Sequence, residues 1–184
     1  LNTTNIQHVM EQFEKKHNDF KYLGTVAIDF QDYHPDFMNF KLANYVSKNK
    51  TRLGAVFNTD KHYQGGQHWI GFYVDTTKQE IDFFDSYGKQ REIPPEVNNF
   101  AKLLVKQGND LGLDLKYYQN KTVFQRKNSE CGVYSIYFLK QLLEGTSFKE
   151  FTNNPVNDDD IQKFRVHKGW ASFFRPKKVS IGLD

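Results

Sequence analysis

The run Val133-Tyr134-Ser135-Ile136-Tyr137-Phe138-Leu139-Lys140-Gln141-Leu142-Leu143 is apolar around most of its circumference up to Lys140. A helix of that kind is not stable on a surface, so the remainder of the chain has to pack around it. Cys131-Gly132 stands directly before it, which places the only cysteine of the chain in the first helical turn. Unpaired backbone N–H groups and the positive end of the helix dipole favour an anion there, lowering a thiol below its free pKa of about 8.5. By residue type alone, a buried and inert thiol is the default. The company Cys131 keeps argues otherwise.

A base is supplied by Gly65-Gly66-Gln67-His68-Trp69-Ile70-Gly71-Phe72-Tyr73-Val74-Asp75, in which His68 stands among strand-forming residues. A second strand, Glu80-Ile81-Asp82-Phe83-Phe84-Asp85-Ser86, follows a short polar stretch, and the pair reads as a hairpin. With a four-residue loop from Asp75 to Lys78 and Val74 paired to Gln79, His68 falls opposite Asp85. Residues so opposed have Cβ atoms about 4.5 to 5.5 Å apart, within reach for an imidazole and a carboxylate. A slip of one residue would separate them onto opposite faces, and Asp82 and Asp75 are the alternative acids.

Cys131, His68 and Asp85 together are a nucleophile, a base and an orienting acid. Acyl chemistry also needs donors for a developing oxyanion. The side-chain amide of Gln125, six residues before Cys131, and the backbone N–H of Cys131 are the candidates.

These residues resemble a family of cysteine proteases unrelated to papain. It includes the ubiquitin-like-protein (SUMO) proteases, the adenovirus maturation proteinase and the polyprotein proteases of large DNA viruses. His68-Trp69 is similar to the family's His-Trp pair, Phe84-Asp85-Ser86 to its aromatic-Asp-Ser strand end, and Gln125 with Cys131-Gly132 to its Gln-x5-Cys-Gly signature. The order His, Asp, Gln, Cys is also the family's. The resemblance spans roughly Leu53 to Leu143, about half the chain, and the forty or so residues at either end carry no matching motif. Asn58-Thr59-Asp60 through His68-Trp69, Asp85-Ser86-Tyr87-Gly88 and Ser129-Glu130-Cys131-Gly132 look more like the branch found in large DNA viruses. The resemblance implies that Trp69 walls a narrow tunnel for a Gly-Gly segment, because a Cβ beside a flat indole would clash.

A chain of 184 residues suits one substantial core, and no repeat or Pro/Gly-rich linker divides it, so residues 1–184 are read as a single catalytic domain. The high aromatic share argues against disorder. No apolar stretch approaches the roughly eighteen residues of a membrane span, and no secretory signal pattern is present. The opening at Leu1 reads as a trimmed or processed fragment. One cysteine excludes an internal disulfide and a multi-thiolate zinc site, and matches an intracellular reducing compartment: host cytoplasm or nucleus, or a virion. The histidines His8, His17, His34, His62, His68 and His167 show no ligand spacing, so neither metal nor cofactor is expected. His62 reads as a surface-loop residue close enough to His68 to reach a site rim. A net charge of +3 is too small to argue for nucleic acid. Basic residues gather late, at Arg165, Lys168, Arg175, Lys177 and Lys178 among Trp170, Phe173 and Phe174, and read as a packed helix end with a solvated tail, the alternative being a docking site for an acidic partner.

Local patterns predict a first helix with a Thr4/Gln7 capping box and Ile6, Val9, Met10 and Phe13 on one face. Strands are expected at Thr25–Phe30, Leu53–Phe57 and Leu115–Tyr118. Helices are expected at Phe37–Val46 and Pro94–Val105, with another opening at Asn157-Asp158-Asp159-Asp160. The fold expected is α+β: a central, mostly antiparallel sheet flanked by helices, with Cys131 at the N-terminus of a buried central helix. The activity expected is that of a cysteine endopeptidase cutting after Gly-Gly-type sequences, as in viral polyprotein or structural-protein maturation. Its partner would be a protein substrate with an extended Gly-Gly segment. The alternatives are a SUMO or ubiquitin-like deconjugating isopeptidase, then an acyltransferase, and last a silent binding module.

Overall fold

The computed structural model describes residues 1–66, 68–127 and 129–167. Five strands, β1 (Phe20–Ala27), β2 (Arg52–Asn58), β3 (Trp69–Asp75), β4 (Glu80–Phe84) and β5 (Lys116–Gln119), lie side by side in chain order. The central pairs β2–β3 and β3–β4 are antiparallel, and each edge pair, β1–β2 and β4–β5, is parallel. Among the described residues seven α-helices accompany them: α1 (Thr3–Lys16), α2 (Phe30–Tyr33), α3 (Leu42–Val46), α4 (Pro95–Asp110), α5 (Cys131–Leu143), α6 (Phe148–Asn153) and α7 (Asp158–His167).

Alternation along the strands splits the interior in two. Leu53, Ala55 and Phe57 of β2 with Ile70, Phe72 and Val74 of β3 face the α4 side, against Phe100, Ala101 and Leu104. Val56, Tyr73 and Phe84 face the other side with α1 and α5. Strands buried on both faces read as continuous apolar runs, as these do. The approach of α5 to the sheet depends on glycine. A Cβ on Gly71 would stand 2.6 Å from Phe138 Cδ1, and one on Gly54 would stand 3.3 Å from Leu139 Cδ2. Phe124 stacks on Phe151 and meets Phe84 edge-on, both at 5.0 Å between centroids, which anchors the chain just before Gln125.

The α+β class and the buried central helix beginning at Cys131 are as expected from sequence. The predicted apolar face of α1 is buried, but its capping box is Asn2 with Asn5 rather than Thr4 with Gln7. Strand β1 starts earlier than Thr25 because Gly24, at φ +140°, absorbs a register shift that lets the strand run through it. Phe30 belongs to α2 instead. Asn39, at φ +54°, interrupts the helix predicted from Phe37, so only Leu42–Val46 is helical. Helix α6 is an addition to the expected elements; its start is marked by Ser147-Phe148-Lys149-Glu150, where Ser147 Oγ accepts the Glu150 N–H at 3.1 Å. Of the late basic and aromatic cluster, Lys168 to Lys178 lie outside the described residues.

Asp82, one of the alternative acids, is buried on β4 opposite Tyr73 with Oδ1 unpartnered. Burial pushes its pKa up to about 8, with Glu80 and Asp75 adding to the effect. A carboxyl raised in the folded state costs stability progressively as pH climbs from its unfolded value near 4 to about 8. Asp82→Asn is therefore expected to raise Tm by a few degrees at pH 8, with the gain fading towards pH 4. Equal Tm differences at both pH values would contradict this.

Candidate active site

The hairpin carrying the candidate base and acid is offset from the predicted register. Asp75 pairs with Glu80 and Gly71 with Phe84, so the loop is Thr76–Gln79 and extrapolation sets His68 across from Tyr87, not Asp85. The cause is Asp75, whose Oδ1 accepts the N–H groups of Thr77 and Lys78, both at 3.0 Å, while Gln79 takes φ +57°. Asp75 is thus a turn acid. A two-residue offset preserves which face each side chain occupies. His68 and Asp85 still meet, with Nε2 and Oδ1 2.8 Å apart and both residues about 2% exposed.

Asp85 lies just beyond the end of β4, held by a residue the sequence did not single out. Asn120 Oδ1 accepts the Asp85 N–H at 2.9 Å, and Asn120 Nδ2 donates to the Asp85 carbonyl at 2.7 Å. The N–H of Tyr87 donates to the same Oδ1 that meets His68, at 2.9 Å, which fixes the carboxylate plane. The Tyr87 ring covers the imidazole at 4.8 Å between centroids. Asn120 has no periodic or motif signal, since it acts from the end of an edge strand. Tyr87 was readable only as part of the Asp85-Ser86-Tyr87-Gly88 string.

With Nε2 occupied by Asp85, Nδ1 is the ring nitrogen left for the thiol of Cys131, to which His68 is hydrogen-bonded. Burial alone would lower the His68 pKa, but the hydrogen bonds to Asp85 and Cys131 outweigh it and push the imidazole up to about 9. Burial likewise opposes ionisation of Cys131. The hydrogen bond from His68, backbone hydrogen bonds involving Trp69 and Gly132, and the imidazolium charge reverse that and hold the thiol below its ordinary value. Cys131 remains partly exposed. Both shifts run in the direction that favours the thiolate–imidazolium form of the pair over the neutral one.

His68→Ala removes the largest contribution lowering the thiol and leaves burial in force. The pH midpoint for iodoacetamide alkylation is therefore expected to rise above the parent's. An unchanged midpoint would mean that the helix start alone activates the cysteine.

Gln125 is 1% exposed, and its backbone N–H and that of Phe124 both donate to the Ser86 carbonyl at 2.9 Å. Its Oε1 accepts from Ser86 Oγ at 2.7 Å and its Nε2 donates to the Lys127 carbonyl at 2.5 Å. An amide nitrogen carries two hydrogens, so one remains for a ligand. Trp69 packs at the start of α5, where a Cβ on Gly132 would stand 3.2 Å from its Cδ1. A cleft of about 220 Å³ opens beside the indole, lined among others by Asn58, His62, Gly65 and Gly66. His62 is exposed on that rim and bound to Asp29, Nδ1 to Oδ2, at 2.5 Å. A second cleft of about 510 Å³ lies across the site, between Tyr87, Gln90, Val123, Gln125 and Arg126. Among the described residues no cluster of His, Cys, Asp or Glu side chains is placed to hold a metal ion, and no helix is long and apolar enough to cross a membrane.

Known proteins share this arrangement of sequence and fold. The chain is 28% identical over 97% of its length to a candidate thiol protease of Acanthamoeba polyphaga mimivirus. It is 26% identical over 86% of its length to an African swine fever virus protein named as a SUMO-1 cysteine protease. It spans 60% and 57% of the lengths of these two viral proteins. The crystal structure of an African swine fever virus protease superposes with a TM-score of 0.80 at 23% identity, covering 91% of this chain and 66% of the other. The yeast Ulp1 protease domain, solved in complex with the SUMO orthologue Smt3, superposes at 0.60 with 15% identity, covering 90% and 72%. The model of the Ulp1 protease family, C-terminal catalytic domain, matches residues 2–172, so the chain belongs to that family.

Proposed function

We propose that the chain is a cysteine protease in which Cys131 is the nucleophile, His68 the general base and acid, Asp85 the orienting acid and Gln125 an oxyanion donor. The observation that carries this is the buried imidazole held between Asp85 and Cys131 at the first turn of α5. The thiolate Sγ attacks the scissile carbonyl carbon, and the developing oxyanion is received by the remaining Gln125 N–H and the Cys131 backbone N–H. As the C–N bond breaks, the leaving amine takes the proton from His68 Nδ1, giving a thioester. Water then gives a proton to His68 and its oxygen to the acyl carbon, releasing the acid and the thiol.

The cleaved sequence is of the Gly-Gly type, a reading that rests on the resemblance of His68-Trp69 to the family's His-Trp pair and is supported by the cleft that opens beside the Trp69 indole. The viral source of two relatives named as proteases agrees with a viral structural or polyprotein substrate, for which a reducing compartment or a virion is the proposed setting, while the name of one of them, a SUMO-1 cysteine protease, agrees with a second reading. The second reading, removal of a ubiquitin-like modifier, draws on the structural likeness to a protease solved with a SUMO orthologue. A panel of Gly-Gly-X, Gly-Ala-X and Ala-Gly-X peptides beside SUMO and ubiquitin probes tests both. Cleavage confined to Gly-Gly-X is expected, with alanine at either position costing about a hundredfold or more in kcat/KM. Equal cleavage of the alanine peptides would remove the tunnel. Modifier probes that react far faster than any peptide would favour deconjugation.

A further inference from the structure

We propose that Asp158 is a positioning residue for the oxyanion donor, acting through the backbone that carries Gln125; the proposal rests on the protease reading above. One hydrogen of the Gln125 amide is spent on the Lys127 carbonyl, so the direction of the other depends on where the Lys127 peptide stands. The two peptide units leading into Lys127 are held by Asp158, whose Oδ2 accepts the N–H groups of both Arg126 and Lys127, at 3.1 and 3.2 Å. Its other oxygen, Oδ1, accepts from the Tyr134 hydroxyl at 3.1 Å. Tyr134 stands on α5 three residues after Cys131. A single carboxylate therefore ties the loop that orients the donor to the helix that presents the nucleophile.

The burial of Asp158 makes that tie specific. It is 6% exposed, and a charge so buried is stable only when its oxygens are hydrogen-bonded, which these donors achieve. Capping of α7 does not explain it, since Asn157 performs that task by accepting the Asp160 N–H at 2.9 Å. The Asp158 donors named here come from the loop and from α5. A second strut runs parallel: Arg165 of α7 pairs at 3.1 Å with Glu130, the buried residue immediately before Cys131. Helix α7 thus braces both ends of the segment between Gln125 and Cys131. An ångström of misplacement at such a donor is enough to cost about a hundredfold in rate.

Asp158→Ala is expected to lower kcat about ten- to a hundredfold, with KM and the iodoacetamide rate at Cys131 within about twofold of the parent. Asp158→Asn keeps an acceptor oxygen for the two N–H groups and is expected to recover kcat to within about fivefold. Gln125→Ala, which deletes the donor itself, should cost about 10² to 10³ in kcat. Adding Asp158→Ala to it should cost little more, because both changes act on one interaction. Hydrogen exchange at the Arg126 and Lys127 amides is read in parallel, and in Asp158→Ala it should be faster than in the parent. Parent-level kcat, multiplying losses in the double variant, or alkylation falling in step with kcat would overturn the proposal. Should Asp158→Ala not fold, the same double-variant comparison with Asp158→Asn decides it. A parent that cleaves no peptide defeats the protease reading, whereas unchanged amide exchange in the variant defeats the brace alone.

Discussion

Cys131→Ala is expected to reduce peptide cleavage to the uncatalysed background while the domain stays folded. The chain has no second cysteine to substitute for it. The side chain lost is small and partly exposed at the first position of α5, so little packing goes with it. Tm should move by no more than about 2 to 4 °C, the shift that roughly 1 kcal/mol produces in a domain of this size. Loss of the thiolate also removes one of the hydrogen bonds holding His68 up near 9, so the imidazole should titrate lower in the variant. Steady-state kinetics with calorimetry checks the first two points and NMR titration the third. A variant that cleaves at the parent's rate would exclude Cys131 as the nucleophile.

Asp85→Asn carries the next largest expected effect, a fall in kcat on the order of 10³ to 10⁴ with KM little changed. Asp85 Oδ1 accepts from His68 Nε2–H and from the Tyr87 N–H. An asparagine turning its Nδ2 towards the ring would donate to Nε2 and move the ring proton to Nδ1, the nitrogen that must accept the thiol proton. The Asn120 clamp would survive, since it grips the backbone of residue 85. Geometry would therefore be kept while the tautomer is wrong. Asp82→Asn, at a site with no hydrogen bond to His68, should leave kcat within about twofold. A reversed ranking of the two variants would show that the orienting acid has been misassigned.

What the sequence made legible were features with strong local physics. The all-round apolar run placed α5 and, at its start, Cys131; the double-sided burial of β2 and β3 follows from their continuous apolar residues. His68 and Asp85 were paired correctly through a register that was off by two, because the error preserved facing and the side chains meet beyond the ends of the ladder. The offset arose where Asp75 caps the turn with its own side chain, a choice between adjacent polar residues that periodicity does not resolve. Asn120 and the proposed brace Asp158 were not legible as parts of the site, and Ser86 was legible only within the Phe84-Asp85-Ser86 string, not as the partner of Gln125. Each acts by hydrogen-bonding backbone or amide groups distant in sequence, so their contribution exists only once the chain has folded.

The central claim is that His68 activates Cys131 towards a carbonyl carried by a Gly-Gly chain. Mass spectrometry of the protein treated at pH 7 with a peptide ending in Gly-glycine vinyl methyl ester tests it most directly. One adduct is expected, mapped to Cys131, forming at least about a hundredfold faster than in His68→Ala and lost when either glycine of the probe is replaced by alanine. Equal rates in the parent and His68→Ala, or no adduct from a protein whose Cys131 still reacts with iodoacetamide, would contradict it.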